Sequence, residues 1–334
     1  MQRQEGYMSE KRKYWAFQLA VLILLTLTAA IGSGQQVRVE RKPKFIKNGQ
    51  KTLPFEVTRH IVPLRQIEGG GPPRDGIPAL IDPEYIPAEE AGRLLEPSDR
   101  VLGVLFNGEA RAYPIRILNW HELVNDTVGG RPILVSWCPL CGSGVVYDPM
   151  IGGRRHIFGV SGLLYKRNLL FFDRQTGSLW SQLLSEAVTG PMAGTKLHAL
   201  PAEDTTWKNW ESPHPDTLVL SFATGYQRDY RADPYAAMPL ARDPALFVAA
   251  EGEAEIFPFS QLHKAQTPVT EQLAGQRFII RFEPHSKTAR VESESPGRIT
   301  WFVGFKEDLR HFFPKAQVYH FRKSKRRSNE SNGI

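Results

Sequence analysis

The chain has 334 residues, of which 41% are hydrophobic and 23% charged, and its formal net charge is +7. This composition is typical of a soluble globular protein that buries a sizeable core, as one large domain or two small ones. Much of the excess positive charge lies near the two ends, and no basic stretch is interleaved with stacking aromatics, which argues against a nucleic acid as partner.

The N-terminal region has the pattern of an export signal. A basic cluster, 11–13, precedes an apolar run of about 17 residues, 15–31, which Gly32, Ser33 and Gly34 follow. Residues 1–34 therefore predict a signal peptide or an N-terminal membrane anchor, and no cysteine follows the run to carry a lipid. The rest of the chain is expected outside the cytoplasm, either secreted or held at the membrane by this segment alone.

The polar stretch 35–64 is interpreted as a linker, 65–322 as one exported β-rich domain, and 323–334 as a basic, disordered tail. Inside the domain, Asn107-Gly108 between two strand-like runs predicts a two-residue hairpin, because both turn positions need positive φ. A short helix is expected from Ile115 to Val124, and another over Trp207–Trp210. The fold class is α+β, predominantly antiparallel β with short helices.

A weak internal repeat suggests a duplicated β-rich unit, over about 100–225 and 245–322. The segment 110–114, with a leucine four residues on, is similar to 254–258, and the strand 133–137 is similar to 278–282. A third match aligns Trp207 with Trp301. In this comparison Cys138, Cys141 and His121 correspond to Glu283, Ser286 and Ala265, so that one copy keeps the reactive groups.

Both cysteines of the protein lie two residues apart, in Cys138-Pro139-Leu140-Cys141-Gly142. Apolar, β-rich flanks place them on a tight turn between two strands. Such a turn is typical of a metal site, and Cys138, Cys141 and His121 are the predicted ligands, with Zn or Cu as the metal. Glu122 is expected to orient the imidazole.

Three functions remain open on these residues. The first is the metal site or a thiol-redox pair. The second is a non-enzymatic binding or scaffold module with a structural Cys138–Cys141 disulfide. The third is a hydrolase or transferase with Cys138 or Cys141 as nucleophile and His121 as base. The sequence identifies no substrate or partner and does not decide whether the protein is an enzyme.

Asp173, Tyr226 and Arg228 lie in two polar, aromatic segments that are candidates for a ligand cleft, with Arg228 as an anion clamp. The alternative is a pair of hairpin turns with stacked aromatics.

Several motifs together resemble the domain-of-unknown-function 3179 family. They are Trp120-His121-Glu122-x-x-Asn125-Asp126, residues 137–144, residues 158–163, the segment 173–182, His214-Pro215-Asp216-Thr217 and Thr224-Gly225-Tyr226-x-Arg228-x-Tyr230. The resemblance covers roughly 65–320. It implies an exported or membrane-anchored prokaryotic protein and implies no activity.

Overall fold

The computed structural model describes residues 36–49, 53–238, 243–266, 268–294 and 296–322. The described residues belong to one compact unit. The predicted signal or anchor and the predicted basic tail both lie outside the described residues. No helix within the described ranges combines the length and the apolar character needed to cross a bilayer.

The fold is mostly antiparallel β with short helices, as predicted, and its five larger sheets have a propeller-like arrangement. The helices are α1 (Ala88–Ala91), α2 (Ile115–His121), α3 (Trp207–Glu211), α4 (Phe259–Ala265) and α5 (Lys306–Phe312), and two 3-10 turns span Leu64–Gln66 and Pro296–Arg298.

Three of the larger sheets have five strands. The first hairpin sheet has the order β20 (Glu203–Thr206), β8 (Arg100–Phe106), β9 (Glu109–Pro114), β21 (Leu218–Leu220) and β7 (Tyr85–Pro87). The cysteine sheet has the order β19 (His198–Leu200), β12 (Ser143–Asp148), β11 (Arg131–Cys138), β10 (Leu123–Val128) and β6 (Leu80–Ile81). The aromatic sheet has the order β18 (Glu186–Ala187), β17 (Leu179–Ser181), β16 (Asn168–Asp173), β15 (Phe158–Tyr165) and β5 (Ile67–Gly69).

The remaining sheets are smaller. The second hairpin sheet has the order β27 (Thr300–Phe305), β22 (Pro244–Ala250), β23 (Glu253–Pro258) and β28 (Gln317–Val318). The three-stranded sheet is β24 (Val269–Leu273), β25 (Gln276–Glu283) and β26 (Thr288–Ser293). Two-stranded pairs are β1 (Arg38–Val39) with β4 (Arg59–His60), β2 (Phe45–Ile46) with β3 (Phe55–Glu56), and β13 (Met150–Ile151) with β14 (Arg154–Arg155).

The segment predicted as a linker is part of the folded core. It contributes β1 to β4, and Phe55, Val57, Ile61 and Val62 are buried in the same apolar cluster as the aromatic sheet. Burial of one such side chain is worth about 1.5–3 kcal/mol, which holds the segment against the domain. Its strands are only two residues long and lie among exposed charges, so the sequence shows little periodicity.

Two stretches of the chain have the same order of elements. The first is the hairpin β8–β9, helix α2 and strands β10 to β12, and the second is the hairpin β22–β23, helix α4 and strands β24 to β26. Strands β8 and β22 both have seven residues, β11 and β25 eight, and the two helices seven.

The strands that complete the two hairpin sheets are also arranged alike. Strand β20 lies antiparallel to β8, as β27 does to β22, and β21 lies parallel to β9, as β28 does to β23. Cys138 and Glu283 are the last residues of β11 and β25, and His121 and Ala265 end the two helices. The third sequence match is wrong, because Trp207 begins α3 whereas Trp301 lies within β27.

The two stretches contact each other reciprocally. Strand β12 packs against β27, and β26 packs against β20. At the second contact, the Thr205 and Thr288 hydroxyls lie 2.9 Å apart. At the first, a Cβ built on Gly304 would lie 3.5 Å from the Cβ of Ser143. Ser143 and Thr288 are the first residues of β12 and β26. Thr205 and Gly304 are the next-to-last residues of β20 and β27. Corresponding positions of the two stretches therefore meet at both contacts.

Candidate functional site

The cysteine turn joins two paired strands, as the sequence predicts. Cys138 lies opposite Ser143 in the register of β11 and β12, and the Cys141 N–H donates to the Cys138 carbonyl at 3.2 Å. Gly142 has a φ of +54°, and a Cβ at this position would lie 2.7 Å from the ring of Phe305. The turn therefore needs glycine both for its backbone conformation and for its contact with the second hairpin sheet.

The two thiols are buried and no disulfide joins them in this structure. Both are free, and Cys138 and Cys141 are only 1% and 0% exposed. A hydrogen bond with Cys138, together with burial, raises the pKa of the Cys141 thiol well above its usual range. A thiol in this state is protonated at neutral pH and is a poor nucleophile, because the thiolate is the reactive form.

A buried network of hydrogen bonds around Gln182 supports the cysteine turn. The Ser143 hydroxyl and the Asn168 amide both donate to Gln182 Oε1, at 2.8 and 2.9 Å. Gln182 Nε2 donates in turn to the Ser143 carbonyl at 3.0 Å and to Ser136 Oγ at 3.2 Å. Because a buried amide without partners is costly, this fully bonded glutamine fixes the turn in one conformation.

Both ring nitrogens of His121 bond to groups other than the thiols. It ends α2 and is fully buried, with Nδ1 at 2.8 Å from the Pro78 carbonyl and Nε2 at 2.7 Å from the Tyr230 hydroxyl. Since a carbonyl only accepts, Nδ1 carries the proton and Nε2 accepts from the tyrosine. Burial lowers the pKa of His121, which favours this neutral imidazole.

The predicted ligands therefore do not converge. No three His, Cys, Asp or Glu side chains in the part of the chain that the structure describes lie close enough together to share a metal ion. Cys138, Cys141 and His121 are all among the described residues, so the predicted set does not fit zinc or copper in this conformation.

Glu122 follows α2 in an unusual conformation, with a φ of +56°. Its carbonyl accepts from the Trp137 N–H at 2.7 Å, and its carboxyl accepts from the Tyr235 hydroxyl at 3.1 Å. The sequence predicted that Glu122 orients the imidazole of His121. Its side chain instead contacts Tyr235. Burial raises the pKa of Glu122 to about 7.

Helix α2 holds a strap across the cysteine turn, formed by residues 230–235. Four consecutive helix-end residues each bond to it: Asn119 to Asp233 at 3.2 Å, Trp120 to the Ala232 carbonyl at 3.2 Å, His121 to Tyr230 at 2.7 Å and Glu122 to Tyr235 at 3.1 Å. The motif 120–122 therefore anchors a loop. The sequence reasoning missed Tyr235, because no local pattern links it to a residue more than a hundred positions earlier.

A cleft of about 430 Å³ opens beside the turn and the strap. The turn contributes Pro139 and Gly142, whereas both sulfurs are buried. Its apolar wall consists of Ile115, Trp137, Pro244, Phe259, Val303 and Phe305, and its polar rim of Ser98, Arg100, Asn119, Asp204, Thr206, Asp233, Tyr235, His285, Ser286 and Lys287. Ile115 and Phe259 are the first residues of α2 and α4, so equivalent positions of the two stretches face the same space.

The other predicted cleft residues lie in two separate places. Asp173 ends β16 and is fully buried, where its carboxylate accepts from Trp180 Nε1 at 3.0 Å and from Thr176. Tyr226 packs on the His121 ring at 5.4 Å, and the Arg228 guanidinium lies 5.7 Å from the centre of the Trp120 ring. Asp173 thus holds a turn of the aromatic sheet, and Tyr226 and Arg228 cover α2.

Comparison with known proteins places this chain in a family. The family described as protein of unknown function (DUF3179) matches residues 74–278, which is more than half of the chain. The chain therefore belongs to this family, as the motifs predicted. No curated protein and no solved structure matches.

We predict that neither native thiol reacts quickly with 5,5′-dithiobis(2-nitrobenzoate). Burial and the raised pKa of Cys141 should slow both reactions by about 100-fold relative to the unfolded chain. Leu105→Cys, at an exposed position, is the control and should add one fast thiol. Two fast-reacting thiols in the native wild type would contradict this prediction. If neither cysteine reacts after unfolding, the two are joined by a disulfide, which would also contradict it.

We predict that Glu122 makes stability depend on pH. Between about pH 4.5 and 7 the folded chain holds a proton on Glu122 that the unfolded chain has released. The free energy of unfolding should therefore fall by up to about 3 kcal/mol as the pH rises through this range. Urea unfolding of Glu122→Gln should show a flatter profile, whereas the exposed control Glu68→Gln should keep the wild-type slope. An unchanged slope in Glu122→Gln would show that burial does not perturb this carboxyl.

Proposed function

We propose that the protein is a non-enzymatic binding module whose ligand is a small organic molecule with an apolar, planar body. The observation that carries this proposal is the cleft. Its volume of about 430 Å³ lies within the range of small-molecule sites, and its exposed lining is mostly apolar, as is typical of them.

The charges at the rim favour a ligand of modest polarity. Arg100 forms a salt bridge with Asp204 and donates to the Ser286 carbonyl at 2.6 Å. Asp233 accepts from Asn119 and from the Tyr235 N–H, at 3.2 and 2.9 Å. Because these groups already have partners, the gain on binding comes chiefly from covering the apolar wall.

We infer that the two stretches are copies of one unit and that the cleft arose where they meet. The equal element order, the equal lengths of β8 and β22 and of β11 and β25, and the reciprocal contacts of β12 with β27 and of β26 with β20 support this duplication. An interface between two units is a common place for a ligand site. Each stretch falls within one of the predicted repeats, about 100–225 and 245–322, which remain a prediction. Export through residues 1–34 remains a prediction.

The proposed binding is tested with 1-anilinonaphthalene-8-sulfonate, an aromatic probe of suitable size, in isothermal titration calorimetry. We expect one site, and Ile115→Trp should weaken binding about tenfold or more because the indole fills part of the cleft. Leu105→Trp places the same side chain at an exposed position on β8 and should leave the affinity unchanged. Equal affinity of Ile115→Trp and wild type would exclude the cleft as the site.

A thiol-redox pair is the second candidate, because Cys138 and Cys141 already contact each other across one turn. Exchange with a low-molecular-weight disulfide would form the Cys138–Cys141 bond and release two thiols, so that the oxidant takes up both electrons and both protons. A metal held by these two sulfurs remains a prediction that needs a further ligand.

Two measurements separate these possibilities. Mass spectrometry after incubation with oxidised glutathione should show a loss of about 2 Da if the pair is redox-active, and Cys141→Ser should lack this change. Elemental analysis of the same two proteins tests for zinc or copper lost on substitution. Unchanged mass and absence of metal in the wild type would leave the binding module as the only function proposed here.

A further inference from the structure

The outer edge of the N-terminal strands carries an unusual mixture of exposed side chains. This basic edge comprises the exposed basic residues Arg38, Arg41, Lys42, Lys44, Lys47 and Arg59 and the exposed apolar residues Val39, Phe45 and Leu53. The apolar ones are 66%, 59% and 74% exposed. Large apolar side chains exposed close together in sequence indicate an interaction surface.

The edge is held rigidly on its inner side. Val39 lies opposite Arg59 and Phe45 opposite Glu56 in the two short strand pairs, and the Val57 N–H donates to the Lys44 carbonyl at 2.9 Å. Phe55 and Val57 anchor the inner strand in the core. Val39 and Phe45 are therefore presented by strands that pair with neighbours.

The charge of this edge is strongly unbalanced. Glu40 and Glu56 are the only acidic residues between positions 38 and 59, against six exposed basic ones. Glu40 lies 3.0 Å from Lys44, and Glu56 accepts from the Thr58 N–H at 2.9 Å. The remaining positive charge would attract an anionic surface, and the apolar side chains suit one with a hydrocarbon interior.

The chain itself favours a lipid bilayer as that surface. Four residues, 32–35, separate the apolar run 15–31 from the first described residue, and the five chain steps from 31 to 36 span at most about 18 Å. If the run lies in a bilayer, as the sequence predicts, the basic edge follows within reach of the headgroups. We propose that the basic edge docks on the surface of an anionic bilayer, with Phe45 and Val39 entering the headgroup region.

The proposal is tested with the full chain in vesicles of phosphatidylcholine and phosphatidylglycerol, by electron paramagnetic resonance of a nitroxide on Phe45→Cys. The buried native cysteines should not compete for the label. We expect the ratio of collisions with oxygen to collisions with an aqueous nickel complex to be several-fold higher at position 45 than at the control Leu105→Cys. Equal ratios at the two positions would overturn the proposal.

Charge variants separate lipid docking from other causes. Arg41→Glu, Lys42→Glu and Lys47→Glu together should lower the ratio at position 45 to that of the control position, since each charge near an anionic membrane strengthens binding about fivefold. The matched set Lys208→Glu, Lys264→Glu and Arg277→Glu, at exposed positions elsewhere, should leave it unchanged.

The lipid composition completes the test. Pure phosphatidylcholine vesicles should give the low ratio at position 45. Equal protection of the label in neutral and anionic vesicles would overturn recognition of an anionic surface. Protection by an acidic polypeptide alone, with none by vesicles, would show that the edge binds a protein.

Discussion

The reciprocal contact between the two equivalent stretches is the constraint on which the rest of the structure depends. The Phe305 N–H donates to the Cys141 carbonyl at 2.8 Å, and the Arg100 guanidinium donates to the Ser286 carbonyl at 2.6 Å. The turn between β11 and β12 and the turn between β25 and β26 thus each provide a carbonyl that accepts from the other stretch. Because Cys141 is fully buried, breaking its bond would leave an unsatisfied carbonyl away from water. These reciprocal contacts, called the seam below, therefore fix the distance between the two turns and thereby the cleft.

This arrangement changes the interpretation of the motif residues. The cysteines, His121 and Glu122 were expected to share one reactive centre. Instead, the sulfurs face the core, and the helix end holds the strap that closes one side of the cleft. Residues that are chemically capable of catalysis are used here to satisfy buried bonds and to position a loop. The binding proposal rests on the surface that these residues support, and it needs neither a thiolate nor an imidazole base.

Local patterns predicted much of the fold. The Asn107-Gly108 hairpin is confirmed, with a φ of +50° and +82° at its two residues, because the turn type depends on backbone preferences at two adjacent positions. The short helices after Pro114 and at Trp207 are also found, as α2 and α3. In each case the signal and the structure involve neighbours in sequence.

The missed features involve distant partners. His121 bonds to Tyr230, more than a hundred residues later, and not to the cysteines, which are at most twenty residues away. Two-residue strands such as β1 to β4 are too short to show an alternation of polar and apolar residues, so the folded segment resembled a linker. The cleft forms only where the two stretches pack against each other. A single sequence does not show how two stretches that are far apart along the chain pack together.

The seam is tested most directly by native-state hydrogen exchange of the Phe305 amide, measured by nuclear magnetic resonance. If the two stretches form one cooperative structure, this amide should exchange with the same free energy as the central-strand amides of Val135 and Ile280, through global unfolding. Rapid exchange at Phe305 while Val135 and Ile280 remain protected would show that the stretches separate in solution, and the account of a fixed cleft would be wrong.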